Sequence, residues 1–329
     1  MTLAASFRFS GQAHVATPRF VIAEVDRLPD DTEAGRLRQR IEDDLRACTD
    51  MADIARGVET VGLVLGPYRN LSTLTAAALV LHPKVQALNH ASARVLDVPE
   101  VDFIADRSRD TMERFVPYAL QLTYGGARGS WGGSVLRSHA FNEEALQETY
   151  LERFGRRFLK EDVRALVWKE PLRVQQHIMR QGADAGIQLL DGFPELQVVL
   201  PIRNPIDCAI SHTVTPHHRH VFGERFGPAL EGVLKSLAWV LELRDAFPDR
   251  VFTFTQWEFG RDTLQAMAAH LGLSASPEWI DDVERAVSVR AGYRVAPKVT
   301  RVYQETLQRV LEPWPDMQKR LWLRHQDGG

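Results

Sequence analysis

The chain has few cysteines and no long apolar run, and both absences limit the classes of protein to which it can belong. Its 329 residues include only two cysteines, Cys48 and Cys208, which are too few for a disulfide framework and lack zinc-ligand spacing. Residues 1–19 contain Arg8, His14 and Arg19 but no sustained apolar core, so we expect no secretory signal peptide. No stretch approaches the roughly 18 apolar residues that span a bilayer. We therefore expect a soluble, cytoplasmic protein that does not insert into membranes.

A strong excess of one charge is also missing. The 40 lysines and arginines nearly balance the 43 aspartates and glutamates, and the formal net charge is −3. This balance argues against a general binding surface for nucleic acid or anionic lipid. It leaves room for a local basic pocket that binds one anionic ligand. With 44% hydrophobic residues, the chain can bury a sizeable core.

Five short apolar runs, rich in β-branched residues, follow the charged N-terminal part of the chain. They are Val61–Leu65, Val85–Leu88, Ala165–Trp168, Val198–Ile202 and Val251–Phe254. Because they lack polar alternation, they predict strands that are buried on both faces. Helical patterns lie between and after them, at Leu74–Leu81, Glu143–Phe158, Leu230–Phe247, Thr263–Leu271 and Val299–Leu311. Alternating strands and helices predict an α/β fold of three layers, α/β/α, with a mostly parallel central sheet.

Two segments stand apart from this alternation. Residues 1–57 are predicted to form an N-terminal extension that contains an amphipathic helix between Asp31 and Val58, and residues 58–329 form the main domain. The segment Gly125–Gly133 contains five glycines and predicts a loop outside any regular element. Such a loop could act as a lid.

Cationic side chains lie just beyond the ends of three of the predicted strands. They are Arg69, Lys169 and Arg203. In an open parallel sheet, ligands bind outside the carboxyl ends of the strands. If the strands are neighbours, these charges converge on one crevice, as a multiply charged phosphate ligand requires.

The turn after the first strand indicates a phosphate site. It runs from Gly66 through Arg69 to Ser72 and Thr73, which begin the Ala-rich helix. Unpaired backbone N–H groups and the helix dipole favour an anion there, although an ordinary helix N-cap after a tight turn is the alternative. The Gly-Lys-Ser/Thr core of a Walker A loop is missing, so a magnesium–triphosphate ligand is not specifically indicated.

A second phosphate signal follows the fourth strand. Pro205 suits the first turn of a helix, Arg203 leaves the strand end, and Ser211 lies eight positions later, about two helical turns on. Arg203 and Ser211 could therefore bind one phosphate from two sides. A surface ion pair for the arginine, with the serine as an ordinary helix residue, is the alternative.

Together, these two turns resemble those of the sulfotransferases that use 3′-phosphoadenosine 5′-phosphosulfate (PAPS). The loop that binds the 5′-phosphosulfate in bacterial members reads Gly-x-x-Arg-Ser-Gly-Thr-Thr-Leu. The matching residues here are Gly66, Arg69, Asn70, Leu71, Ser72, Thr73 and Leu74. The motif for the 3′-phosphate is Arg-x-Pro-x-Asp with a serine eight residues after the arginine, which Arg203, Pro205, Asp207 and Ser211 match. In the first motif this chain has Asn70 and Leu71 where the family has serine and glycine.

Other segments extend the resemblance from about Thr60 to Leu273. Lys169-Glu170-Pro171 resembles the Lys-x-Pro after a middle strand, and Gln256-Trp257-Glu258-Phe259 resembles a later Tyr-Glu-Asp-Leu segment. The family's second phosphate-binding loop is matched only loosely, with Arg290, Tyr293 and Arg294 as candidates. The resemblance implies a P-loop-NTPase-like fold, PAPS as donor and 3′-phosphoadenosine 5′-phosphate (PAP) as product. It also implies a small hydroxyl or amine acceptor and no metal.

In such a reaction the acceptor attacks sulfur in line, and the resemblance gives Arg69 and Lys169 the task of stabilising the leaving group. A general base should deprotonate the acceptor. His90 follows the second strand and is the first candidate; Glu170 is the second. His90 as a surface histidine and Glu170 as an ion-pair partner of Lys169 are the alternatives.

The histidines between His212 and His220 fit no standard zinc spacing and are predicted to lie in a loop with Pro216 near the cleft. Two other functions stay open. One is a kinase-like phosphotransferase, which would need a lysine in the first turn, and the other is a non-catalytic PAP-binding protein. A homo-oligomer is compatible with the sequence.

Overall fold

A computed structural model of the chain describes residues 33–124, 132–215, 219–289, 293 and 295–327. Its sheet contains β1 (Thr60–Val64), β2 (Val85–Asn89), β3 (Gly133–Ser134), β4 (Ala165–Lys169), β5 (Leu196–Ile202) and β6 (Val251–Thr255). The strand order is β3-β2-β4-β1-β5-β6. All neighbouring strands are parallel except β2 and β3, which are antiparallel.

Helices cover both faces of this sheet. In chain order they are α1 (Glu33–Ala47), α2 (Ala52–Ala55), α3 (Ser72–Val80), α4 (Ser92–Val95), α5 (Phe103–Asp106), α6 (Arg109–Thr123), α7 (Glu144–Phe154), α8 (Pro171–Arg180), α9 (Ala185–Gly192), α10 (Pro205–Val214), α11 (Arg219–Phe222), α12 (Phe226–Ala246), α13 (Arg261–His270), α14 (Pro277–Ala286), α15 (Pro297–Val310) and α16 (Pro315–Asp327). Within the described ranges, no helix is both long and apolar enough to cross a membrane.

Two hydrophobic cores lie on opposite faces of the sheet because successive strand residues point to opposite sides. Leu63 and Val198 belong to a core that includes residues of α1, α6, α8, α10 and α12. Their neighbours Val64 and Val199 belong to the other core, with α3, α7, α13 and α14. The predicted fold class, a three-layer α/β/α arrangement around a mostly parallel sheet, is confirmed.

The five predicted strands are present, with ends that differ by one or two residues. The prediction that Gly125–Gly133 lies outside regular structure was wrong at Gly133, which pairs with Asn89 in β3; residues 125–131 lie outside the described residues. Gly132 makes this pairing possible because it approaches the β2 end so closely. A Cβ atom there would lie 2.0 Å from the backbone nitrogen of Ala91, so only glycine fits.

The N-terminal helix is shorter than predicted. It ends at Ala47, and a 3₁₀ turn, Cys48–Met51, connects it to α2. Its Leu37 and Ile41 are buried in the core on the α12 face of the sheet. This helix packs directly on the main domain. The domain boundary at residue 57 stays a prediction.

Several helices were not predicted from the sequence, α8 and α14 among them. Both begin with a proline at the first helical position, Pro171 and Pro277, where the missing N–H costs no hydrogen bond. The helix predicted over Glu143–Phe158 ends at Phe154, before Gly155 in a left-handed conformation. Proline therefore starts these helices, and glycine ends one.

A buried lysine fixes the far end of α3, the helix that leaves the first predicted phosphate loop. Lys160 donates hydrogen bonds to the carbonyl oxygens of Val80, His82 and Val85, the last two at 2.9 and 2.7 Å. Its Nζ atom also lies 4.4 Å from the ring centroid of Phe154. The bond to Val80 satisfies a carbonyl group that the C-terminus of α3 leaves unpaired. The three bonds together hold α3 and the start of β2 against the loop after Phe154.

Candidate active site

The turns that follow β1 and β5 meet at the carboxyl edge of the sheet. Arg69, in the β1–α3 loop, donates a hydrogen bond from Nε to the Oγ atom of Ser211 in α10, with a length of 2.7 Å. The two residues are 142 positions apart in the chain. β1 and β5 are hydrogen-bonded neighbours in the sheet. The structure therefore brings together the two predicted phosphate motifs, as convergence at a sheet edge requires.

The β1–α3 loop has a strained backbone and an open helix end. Arg69 and Leu71 have φ angles of 65° and 61°, a left-handed conformation that costs a residue other than glycine about 1–2 kcal/mol. The first backbone hydrogen bond of α3 runs from Thr75 N to Leu71 O, at 2.9 Å. In the described structure the N–H groups of Ser72 and Thr73 have no backbone partner. They can donate to an anion at the positive end of the helix.

Asn70 is buried, and its side chain is engaged with the backbone of β5 and the residue after it. The amide donates to the carbonyl oxygen of Pro201, and its oxygen accepts a 2.8 Å hydrogen bond from the N–H of Arg203. Asn70 thus ties the first loop to the second phosphate turn.

Three ionisable side chains form a linear cluster where β2 and β4 end side by side. The Nδ1 atom of His90 lies 3.2 Å from Oε2 of Glu170, and its Nε2 atom lies 3.2 Å from Nζ of Lys169. Glu170 is only 1% exposed, whereas the His90 side chain is 28% exposed. The histidine therefore connects a buried carboxylate to the solvent-accessible mouth of the crevice.

The environment shifts the titration of both neighbours of His90. Burial lowers the pKa of Lys169 to about 8; the nearby Arg69 acts in the same direction, and Glu170 opposes it. Burial by itself raises the pKa of Glu170, but the nearby His90, Arg173 and Lys169 outweigh that effect and lower the pKa to about 2. At neutral pH, Glu170 is therefore an anion that accepts hydrogen bonds and is a weak base.

The second phosphate turn is held by a buried carboxylate. Arg203 lies at the end of β5, with Nε 3.9 Å from Oδ2 of Asp207. Asp207 also accepts a 2.8 Å hydrogen bond from the N–H of Tyr293, and the guanidinium of Arg203 lies 6.0 Å from the Tyr293 ring. This contact places one of the three loosely matched loop residues beside Arg203. The other two, Arg290 and Arg294, lie outside the described residues.

The prediction that His212 lies in a loop was wrong. It is fully buried in α10, and its Nε2 atom lies 2.9 Å from the carbonyl oxygen of Tyr68. Nothing is described of His217 and His218 or of the side chain of His220. His212 therefore supports the β1–α3 loop from behind.

A cavity of about 290 Å³ adjoins the second phosphate turn. It is lined by Gln256, Phe259, Gly260, Leu264, Val283, Glu284, Val287, Ser288 and Val289. Gln256 connects it to the turn, because its Oε1 atom accepts a 3.1 Å hydrogen bond from the N–H of Asn204. The lining combines polar groups with the apolar side chains of Phe259 and Leu264, a combination that suits a flat organic ring.

Two residues of the site were not identified from the sequence. Tyr68 donates from its hydroxyl to Oε1 of Glu170 at 3.0 Å, and Arg173 donates to the hydroxyl of Ser92 at 2.9 Å while lowering the pKa of Glu170. Tyr68 precedes Arg69 in the predicted loop, and Arg173 is in the first turn of α8. In the sequence, only these positions could have indicated that Tyr68 and Arg173 belong to the site.

No protein-family profile and no curated protein sequence matches the chain. Among solved structures, it is similar to a sulfotransferase from Alicyclobacillus acidocaldarius, with 14% identity and a TM-score of 0.38 over 76% of this chain and 94% of that one. Sulfotransferase STF9 from Mycobacterium avium is 12% identical, with a TM-score of 0.44 over 90% and 89% of the two chains. The sulfotransferase domain of the Synechococcus PCC 7002 olefin synthase is 13% identical, with a TM-score of 0.34 over 75% and 93%. All three TM-scores are below 0.5 and no identity exceeds 14%, so the chemistry of this chain has to be inferred from the residues of its site.

Proposed function

We propose that the chain is an enzyme that transfers a sulfuryl group from PAPS to a hydroxyl or amine of a small acceptor. The observation that carries this proposal is the 2.7 Å contact between Arg69 and Ser211. It joins the loop assigned to the 5′-phosphosulfate with the turn assigned to the 3′-phosphate. Both groups of PAPS are attached to one ribose, so the residues that bind them have to lie in the same crevice.

In this proposal the donor lies across the ends of β1 and β5. The 5′-phosphosulfate binds the N–H groups and hydroxyls of Ser72 and Thr73, the backbone at Leu71, and the charges of Arg69 and Lys169. Asn70 positions the loop. The remaining donor-binding residues act on the 3′-phosphate and are Arg203, Ser211, Tyr293, Arg290 and Arg294. The cavity beside Gln256 takes the adenine ring.

The transfer needs a base that deprotonates the acceptor and a cation that stabilises the leaving group. The acceptor oxygen or nitrogen attacks sulfur in line, the bond between sulfur and the bridging phosphate oxygen breaks, and PAP leaves. The acceptor proton goes to Nε2 of His90, which Glu170 orients through Nδ1. Lys169 and Arg69 stabilise the charge that develops on the bridging oxygen.

The 3′-phosphate assignment predicts a distinct response to PAP. PAP should raise the melting temperature more than ADP does, because a ligand that binds only the folded chain stabilises it in proportion to its affinity. Arg203→Ala should weaken PAP binding roughly 10- to 150-fold, as expected for lost hydrogen bonds between charged groups, and leave ADP binding nearly unchanged. Thermal-shift and calorimetric titrations measure both.

Arg56→Ala is the matched control for this experiment, because Arg56 is exposed and contacts only Asp53 among charged groups of the described chain. Equal stabilisation by PAP and ADP would contradict the 3′-phosphate assignment. A larger effect of ATP with magnesium would favour the kinase-like phosphotransferase. Tight PAP binding without any sulfuryl transfer would favour the non-catalytic binder, for which the non-glycine Leu71 at φ 61° is the specific observation.

The lowered pKa of Lys169 predicts a pH dependence. Lys169 is charged below its pKa of about 8 and neutral above it. We therefore expect kcat/KM for the donor to fall as the pH rises through about 8, because this ratio reports the free enzyme. In Lys169→Arg the guanidinium keeps its charge, and the alkaline decrease should disappear even if the rate is lower. An unchanged decrease in Lys169→Arg would assign it to another group.

A further inference from the structure

Glu170 is shared between the donor loop and the general base. Its Oε1 atom accepts the hydrogen bond from Tyr68, at 3.0 Å, and its Oε2 atom accepts the one from His90, at 3.2 Å. Tyr68 belongs to the loop after β1, and His90 follows β2, which is separated from β1 in the sheet by β4. One buried carboxylate therefore links the donor loop to the base.

The backbone of Tyr68 is held in place by two side chains of α10. Its carbonyl oxygen accepts hydrogen bonds from Sγ of Cys208, at 3.0 Å, and lies 2.9 Å from Nε2 of His212. Both partners are buried residues of α10. Tyr68 is thus one of the residues that fix the loop between Gly66 and Leu71 to the rest of the domain, together with Asn70.

The direction of each hydrogen bond in this cluster follows from the charges around it. Burial and the neighbouring Glu170 raise the pKa of Tyr68 well above its ordinary value, so its hydroxyl keeps its proton and donates. Glu170 is ionised and can only accept. His90 must then carry a proton on Nδ1, and its Nε2 atom, which faces Lys169, is left as the acceptor.

We infer that Tyr68 is a positioning residue that acts on His90 through Glu170, fixing the tautomer and orientation of the base and coupling them to the donor loop. This inference rests on the proposed function for its effect on turnover. Without the Tyr68 hydroxyl, Oε1 of Glu170 is left buried without this donor, and the carboxylate can rotate toward Arg173 or Lys169. His90 then loses its fixed partner, and its Nε2 atom is no longer held in its position beside Lys169.

A double-mutant cycle between Tyr68→Phe and Glu170→Gln tests this coupling. We expect Tyr68→Phe to lower kcat roughly 10- to 100-fold, the effect of a small misplacement of a reacting group, with KM for the donor changed less than about twofold. In the Glu170→Gln background, Tyr68→Phe should have almost no further effect, because its action passes through the carboxylate. Independent, multiplicative losses, or a change confined to KM, would overturn the inference.

A second measurement needs no activity. In protein with ¹⁵N-labelled histidine, the two ring-nitrogen shifts of neutral His90, assigned by comparison with His90→Asn, report its tautomer. The Nδ1-protonated form should dominate in the wild type and give way to a mixture in both Tyr68→Phe and Glu170→Gln. Tyr150→Phe is the matched control, because it removes a buried hydroxyl that donates to the carbonyl of Arg157 on the other face of the sheet.

The two readouts separate the inference from the proposed function. If the tautomer changes as expected while the chain transfers no sulfuryl group, the positioning role stands and the proposed function fails. If the chain is active but the tautomer of His90 is the same in Tyr68→Phe and the wild type, the positioning role is wrong.

Discussion

His90→Asn is expected to lower the rate of sulfuryl transfer by roughly 10²- to 10⁴-fold, the usual contribution of a general base. His90 has a φ angle of 60°, and asparagine is among the residues that tolerate this left-handed conformation. Its amide can still donate toward Glu170, but no atom replaces Nε2. The change therefore removes the proton acceptor with little strain on the backbone. Single-turnover transfer from PAPS to an acceptor measures the loss.

PAP affinity provides the internal control for this variant, since His90 does not belong to the proposed phosphate contacts. Thermal stabilisation by PAP should be the same in His90→Asn and the wild type. His270→Asn is the matched control variant, because His270 is a half-buried histidine whose ring contacts the carbonyl oxygen of Val198 in mid-strand, at 3.0 Å. Full transfer activity in His90→Asn would assign the base to another group.

Glu170 was the second candidate for the base from the sequence, and the structure gives it a different task in our proposal. Its pKa of about 2 makes it a poor proton acceptor at neutral pH, while its contact with Nδ1 of His90 suits it to orient the imidazole. Glu170→Gln should therefore lower the rate less than His90→Asn does. The opposite order would favour Glu170 as the base.

The residues at the carboxyl edge of the sheet were predictable, because their positions follow from the local sequence. β-branched runs locate the strands, and the residue after a parallel strand has to lie at the edge where ligands bind. Arg69, Lys169 and Arg203 were found in this way, and the structure places them there.

The contacts among these side chains were not predictable. Whether Ser211 accepts from Arg69 or binds a ligand directly depends on rotamers of residues 142 positions apart, which no local pattern encodes. β3 was missed for another reason. Two residues are too few to show strand periodicity, and the pairing depends on the close approach of Gly132 to Ala91. Sequence thus identified the groups at the site, while tertiary packing determined which of them touch.

The second large effect is on stability, and it is predicted by a buried ion pair between two residues that are distant in the sequence. Arg94, in α4, contacts Asp44, in α1, and both side chains are 2% exposed. Arg94→Met should lower the free energy of unfolding by about 3–5 kcal/mol, because it leaves the Asp44 carboxylate buried without its main partner. Urea denaturation followed by circular dichroism measures the change.

The double variant Asp44→Asn, Arg94→Met should recover part of that loss, since most of it comes from the uncompensated charge rather than from the pair itself. Arg40→Ala is the control: Arg40 also contacts Asp44, at 3.3 Å, but is half exposed, so its removal should cost less than about 1 kcal/mol.

Arg94 further donates to the carbonyl oxygen of Gly132 at 3.3 Å, next to the turn that contains His90. The helix of the N-terminal extension would then stabilise the turn that positions the base. A loss of stability below 1 kcal/mol in Arg94→Met would mean that α1 is only loosely attached and that the boundary at residue 57 separates independent parts.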